Sequence, residues 1–120
     1  MISLHVDLLL KPGAGLALEK TFHEVFLPAI SLQPGFSRVA LLASRSEADR
    51  FRLVIEFESE ELRLKWVASD LHQRVWPKME THFINYTLKG FTGVERPLDH
   101  AALWRSTSPL QPAIMGWFRD

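Results

Sequence analysis

Apolar and polar residues alternate from Ile2 to Leu10. Leu4, Val6, Leu8 and Leu10 fall on one side, and Ser3, His5 and Asp7 on the other. Side chains alternate across a strand, so this run predicts a β-strand. Lys11-Pro12-Gly13 ends it, because proline lacks an amide donor and glycine accepts turn geometry. From about Ala14 the period lengthens. Leu18, Phe22, Val25 and Ala29 share one helical face, while Glu19, Lys20, His23 and Glu24 take much of the other. Pro28 removes one backbone bond, which predicts a kink or a restarted turn. Gln33-Pro34-Gly35 closes the segment.

Residues 36–43 are apolar and predict a second strand, and residues 44–50 are polar and turn-like. Phe51, Leu53, Ile55 and Phe57 then alternate with Arg52, Val54 and Glu56, which predicts a third strand joined to the second as a hairpin. Ser59 suits a helix N-cap, with Glu60 and Glu61 where the helix dipole favours anions. Leu62 and Trp66 form one stripe of that helix, with Leu64, Val67 and Leu71 beside it. Asp70 to Gln73 has capping-box spacing and predicts a restart after a bend, and Pro77 punctuates again. Residues 83–91 are rich in strand formers. The order is β-α-β-β-α-β: an α+β, ferredoxin-like domain with a four-stranded antiparallel sheet, over residues 1–92.

All four strands carry apolar residues on both faces, yet two helices cover only one face of such a sheet. A bare apolar face usually marks an interface, so a homodimer packed sheet to sheet is expected. The alternative is a monomer whose own C-terminal segment covers the face. Residues 93–120 hold Pro97, Pro109 and Pro112, which disfavour long regular structure, and also Leu103, Trp104, Ile114, Trp117 and Phe118. That is too apolar for a solvated tail, and predicts an arm packed on the barrel or on the partner.

Composition narrows the function. The chain has 120 residues, 47% hydrophobic and 23% charged, as expected of one globular domain. Its formal net charge is zero, so no basic face points to nucleic acid, and weak charge repulsion mildly favours self-association. It has no cysteine, which excludes disulfides, thiolate catalysis and cysteine metal sites. No basic stretch precedes the first apolar run, and no run nears the roughly 20 residues of a membrane span. A cytoplasmic location without membrane partners is expected. No glycine-rich phosphate motif implies a nucleotide.

Trp66-Val67-Ala68-Ser69-Asp70-Leu71-His72 resembles the second-helix region of the antibiotic biosynthesis monooxygenase-like domains. Leu4 to Leu10, Pro28-Ala29-Ile30, Gln33-Pro34-Gly35-Phe36 and Val54-Ile55-Glu56-Phe57 resemble other landmarks of that family, in the right order. The resemblance covers about residues 2 to 92 and implies a dimeric α+β barrel. Quinol-oxidising members use oxygen without metal, flavin or heme and carry a Trp that Trp66 matches. Their pocket also uses Asn, Tyr and Arg. His72 falls near the Tyr position, and no Asn is matched. Heme-degrading members need an iron-ligating His near position 76, where this chain has Trp76, and an Asn on the first strand, which offers His5 and Asp7. Heme degradation is therefore not expected.

The resemblance implies a monooxygenase acting with O2 and no cofactor on a small aromatic or quinol-like molecule. The alternative is a non-catalytic small-molecule binding or stress-related protein on the same scaffold. His72 and His5 are candidate bases, because imidazole titrates near neutral pH, and Asp7 shares the strand face of His5. His5 and Asp7 read equally well as a structural hydrogen-bonded pair, and His72 as a residue of the helix bend. Trp66, Trp76 and Phe22 are candidate walls of an apolar substrate cavity, although Trp66 also suits a core. Arg52 is a candidate substrate contact, or with Glu56 part of a cross-strand charge network. His23 and His82 read as surface residues. His5, His72 and His82 lack close metal-ligand spacing, so no metal site is expected.

Overall fold

The computed structural model describes residues 1–94. Strands β1 (Ile2–Leu10), β2 (Phe36–Ala43), β3 (Arg50–Phe57) and β4 (Phe83–Thr92) form one antiparallel sheet in the order β2-β3-β1-β4. Between β1 and β2 run α1 (Gly15–Thr21), a π-helical turn (Phe22–Phe26) and α2 (Leu27–Ile30). Between β3 and β4 run α3 (Glu60–Ala68) and α4 (Asp70–Glu80). This is the ferredoxin-like βαββαβ arrangement. The arm expected over residues 93–120 lies almost wholly outside the described residues. No helix among the described residues is long and apolar enough to cross a membrane.

The alternation in β1 and β3 decides which face meets the helices. Val6, Leu8 and Leu10 of β1 and Leu53, Ile55 and Phe57 of β3 are buried against Leu18, Phe22, Phe26 and Ile30 from the first helical layer and Trp66, Val75 and Met79 from the second. The first helix departs from the expected period. Phe26 is fully buried, while Val25, expected on the inner face, is half-buried. The Leu27 amide bonds the Phe22 carbonyl, one residue further back than in an α-helix. This wider turn falls just ahead of Pro28, whose nitrogen cannot bond the Glu24 carbonyl and whose ring would press on it. Four α-helical residues overshoot a full turn by roughly 40°. The wider turn takes up part of that drift, so Leu18, Phe22, Phe26 and Ile30 all face inward.

Three further details differ from the sequence pattern. Ser69, not Asp70, caps the restarted helix: its hydroxyl accepts from the His72 amide at 3.1 Å. Pro77 does not end α4, which runs on to Glu80. Leu64 is exposed rather than packed. Gly35 shows how tightly the β2 entry meets α3. Its φ is +77°, and a side-chain carbon added there would lie 2.9 Å from Leu62 Cβ.

The uncovered sheet face is mixed, where apolar residues were expected. Val54, Leu42 and Phe91 lie on it, but so do two ion pairs, Asp7–Arg52 and Arg38–Glu56. Those charges neutralise one another in pairs across the strands.

Candidate functional site

A cavity of about 270 Å³ lies between the covered sheet face and the helices. Leu4, Val6 and Ile55 form its sheet wall, with Tyr86 and Leu88 from β4. Phe26, Arg63, Trp66, Val67, His72 and Trp76 close it from the helices. A larger and more open depression of about 490 Å³ holds Asp7, Glu47, Arg50 and Arg52. The first is the better candidate, because specific small-molecule sites are enclosed and mostly apolar with a few placed polar groups.

The break between α3 and α4 builds the aromatic part of this cavity. Ser69 is extended, with φ −72° and ψ 151°. Its hydroxyl donates to the Trp66 carbonyl at 2.7 Å while accepting from the His72 amide. One side chain therefore ties the end of the first helix to the start of the second. The Trp66 and His72 rings then meet edge to face, with centroids 5.0 Å apart at 87°. One turn further on, Trp76 stacks on His72 at 6.0 Å and 14°. Phe26 packs on both tryptophans, at 6.2 and 6.0 Å, and Tyr86 meets Trp76 edge-on at 5.7 Å. Ser69→Ala is expected to cost about 1 kcal/mol, the usual worth of a helix cap. It should also change the near-ultraviolet circular dichroism of Trp66. A thermal melt and that spectrum check the two parts separately.

His72 is the chemically unusual member. Its Nδ1 is the one buried side-chain polar atom without a hydrogen-bond partner among the described residues. Burial pushes the imidazole pKa below its usual 6.5, because the charged form loses hydration and gains nothing in return. Burial thus favours the neutral form of His72. Arg63 supplies the positive charge. Its Nε donates to Glu60 Oε2 at 3.0 Å, and this pair holds the guanidinium in its charged form.

The structure brings together three of the sequence candidates, His72, Trp66 and Trp76. It separates the rest. Phe22 is buried beneath the cavity, stacked on Phe26 at 6.1 Å, and does not line it. His5, Asp7 and Arg52 lie on the opposite sheet face, so no residue there can share a substrate with His72. His5 Nε2 is 3.1 Å from Ser3 Oγ, and its ring lies 4.6 Å from that of Phe91. Asp7 accepts from Arg52 Nε at 2.7 Å, which holds its carboxyl below the usual range. His5 and Asp7 are therefore bonded to Ser3 and Arg52 and not to each other. His82 is half-buried rather than on the surface, and its Nε2 meets Thr21 Oγ1 at 2.9 Å. Arg63, Tyr86, Leu88 and Phe26 are the cavity residues that sequence patterning did not single out.

The fold is shared with solved structures of low sequence identity. SnoaB, a cofactor-independent oxygenase from Streptomyces nogalater, superposes with a TM-score of 0.70 at 13% identity, over 82% of this chain and 97% of its own. Two proteins classed with the antibiotic biosynthesis monooxygenases behave similarly. The one from Bordetella bronchiseptica gives 0.71 at 20% identity, over 78% of this chain and 97% of its own. The one from Caulobacter crescentus gives 0.70 at 17% identity, over 78% and 90%. No curated protein matches the chain in sequence. The sequence profile of the antibiotic biosynthesis monooxygenase family matches residues 1–77, which is more than half of the chain. The chain therefore belongs to the antibiotic biosynthesis monooxygenase family.

Proposed function

We propose that the protein is a cofactor-independent monooxygenase that oxidises a small aromatic, quinol-like or anthrone-like molecule with O2. The observation that carries this reading is the buried, unpaired Nδ1 of His72, a residue that lines an aromatic cavity. Family membership and the likeness to SnoaB support it. Trp66, Trp76 and Phe26 present apolar and edge surfaces suited to a flat ring. His72 takes the phenolic or benzylic proton as general base. Arg63 then sits where a positive charge favours the substrate anion. For an anthrone-type carbon the balance is CH2 + O2 → C=O + H2O. The substrate supplies all four electrons, so no external reductant is needed.

Oxygen uptake with anthrone and with 1,4-naphthohydroquinone, on chelator-treated protein, tests the reading. Uptake well above the protein-free rate is expected. Binding without uptake would favour a non-catalytic binding protein instead.

The acid limb of the rate follows from His72. Only the neutral imidazole accepts a proton, and burial keeps it neutral to lower pH than a free histidine. The acid midpoint of kcat/KM should therefore lie below 6.5. A pH–rate profile with its acid midpoint above 6.5 would contradict this assignment.

The functional unit is proposed to be a homodimer joined through the uncovered sheet face. Leu42 and Phe91 are each 49% exposed there, beside Val54. Covering such apolar surface gains roughly 25 cal/mol per Å². Light scattering at micromolar concentration should report twice the chain mass of 13.8 kDa. A monomeric mass would remove the sheet-to-sheet interface.

A further inference from the structure

The cavity has a neighbour. A second hollow of about 290 Å³ is lined by Ile2, Leu4, Glu60, Arg63, Leu88 and Gly90, among others. Leu4, Arg63 and Leu88 line both. Arg63 is thus the boundary, reached by Glu60 from one side and open to the aromatic cavity on the other. Among the described residues it is the one permanently cationic side chain lining that cavity.

The two partners of this ion pair differ in environment. The Arg63 side chain is 18% exposed, whereas that of Glu60 is 53% exposed. Glu60 sits in the first turn of α3, where the helix dipole favours its charge even without Arg63. Returning Glu60 to water breaks two contacts, Nε to Oε2 and Nη2 to Oε1, which an incoming carboxylate can replace one for one. Leaving Arg63 without an anion costs more, because its side chain is the less exposed of the two. A guanidinium also offers a planar fork that fits a carboxylate with two parallel bonds.

We propose that the natural ligand of the cavity is an aromatic molecule bearing a carboxylate, which takes Arg63 from Glu60. The inference rests on the cavity being the substrate site, and it deepens that reading by naming the substrate class. Glu60 occupies the anion position when no ligand is bound. The aromatic body lies among Phe26, Trp66, His72 and Trp76, and its carboxylate lies at the Arg63 end.

Isothermal titration calorimetry of the full chain near neutral pH tests this with two probes of one ring system, 1-hydroxy-2-naphthoate and 1-naphthol. The naphthoate is expected to bind about tenfold more tightly, the worth of one charge-assisted contact. Arg63→Gln should erase that preference, and Arg63→Lys should keep part of it. Glu60→Gln removes the competing anion, so it should tighten naphthoate binding and leave naphthol unchanged. Equal affinities for the two probes, or a preference that survives Arg63→Gln, would overturn the carboxylate assignment and leave the cavity reading standing. No binding of either probe, by heat at two temperatures and by quenching of tryptophan fluorescence, would overturn both. Oxygen uptake is not read here, so a failure of catalysis alone leaves this result intact.

Discussion

Replacing His72 with alanine is expected to lower kcat by about 10²–10⁴-fold, the usual contribution of a positioned general base. The loss should fall on kcat, because the apolar walls that bind the ring remain. His72 is half-buried at the start of α4, and its backbone amide still meets the Ser69 cap in the variant. The fold should therefore survive, with only the ring contacts to Trp66 and Trp76 removed. Added imidazole should restore part of the rate by entering the vacated space. A steady-state comparison of wild type and His72→Ala on the same substrate, with circular dichroism as the folding control, decides the matter. A rate within about threefold of wild type would assign the base elsewhere.

Phe26→Ala should have the largest effect on stability, about 3–5 kcal/mol for a fully buried phenylalanine. The ring contacts Phe22, Trp66 and Trp76, so its removal leaves a void where both helical layers meet. The same void opens into the cavity, because Phe26 is one of its walls. Urea midpoints at one fixed protein concentration measure the loss, since assembly would otherwise shift the apparent value. Phe26→Leu should cost much less, because it keeps most of the volume. Similar midpoints for the alanine variant and wild type would contradict the packing described.

The strands are legible in the sequence because their period is two and one face is buried. The same alternation places His5 and Asp7 away from the helices, opposite Leu4, Val6 and Leu8. Carried to its end, that alternation by itself separates them from His72. Tyr86 follows the same rule, since it pairs with Leu8 and so faces the helices. Arg63 stands three residues before Trp66, which puts both on one helical face, but an arginine reads by default as solvated. Phe26 is hidden for a different reason. The expected face at Leu18, Phe22, Val25 and Ala29 assumes an unbroken α-helix, and the π turn before Pro28 changes the register. The uncovered face reads as apolar from Val54 and its neighbours. The charges of Arg52 and Glu56 are also legible there, but their partners, Asp7 and Arg38, follow only from strand register.

The most direct measurement is one turnover under ¹⁸O₂ with anthrone, on protein freed of metals by chelation and analysed by mass spectrometry. One ¹⁸O atom is expected in the quinone product, the second leaving as water, at a rate that depends on His72. Product without ¹⁸O, or formed equally fast by His72→Ala, would contradict it.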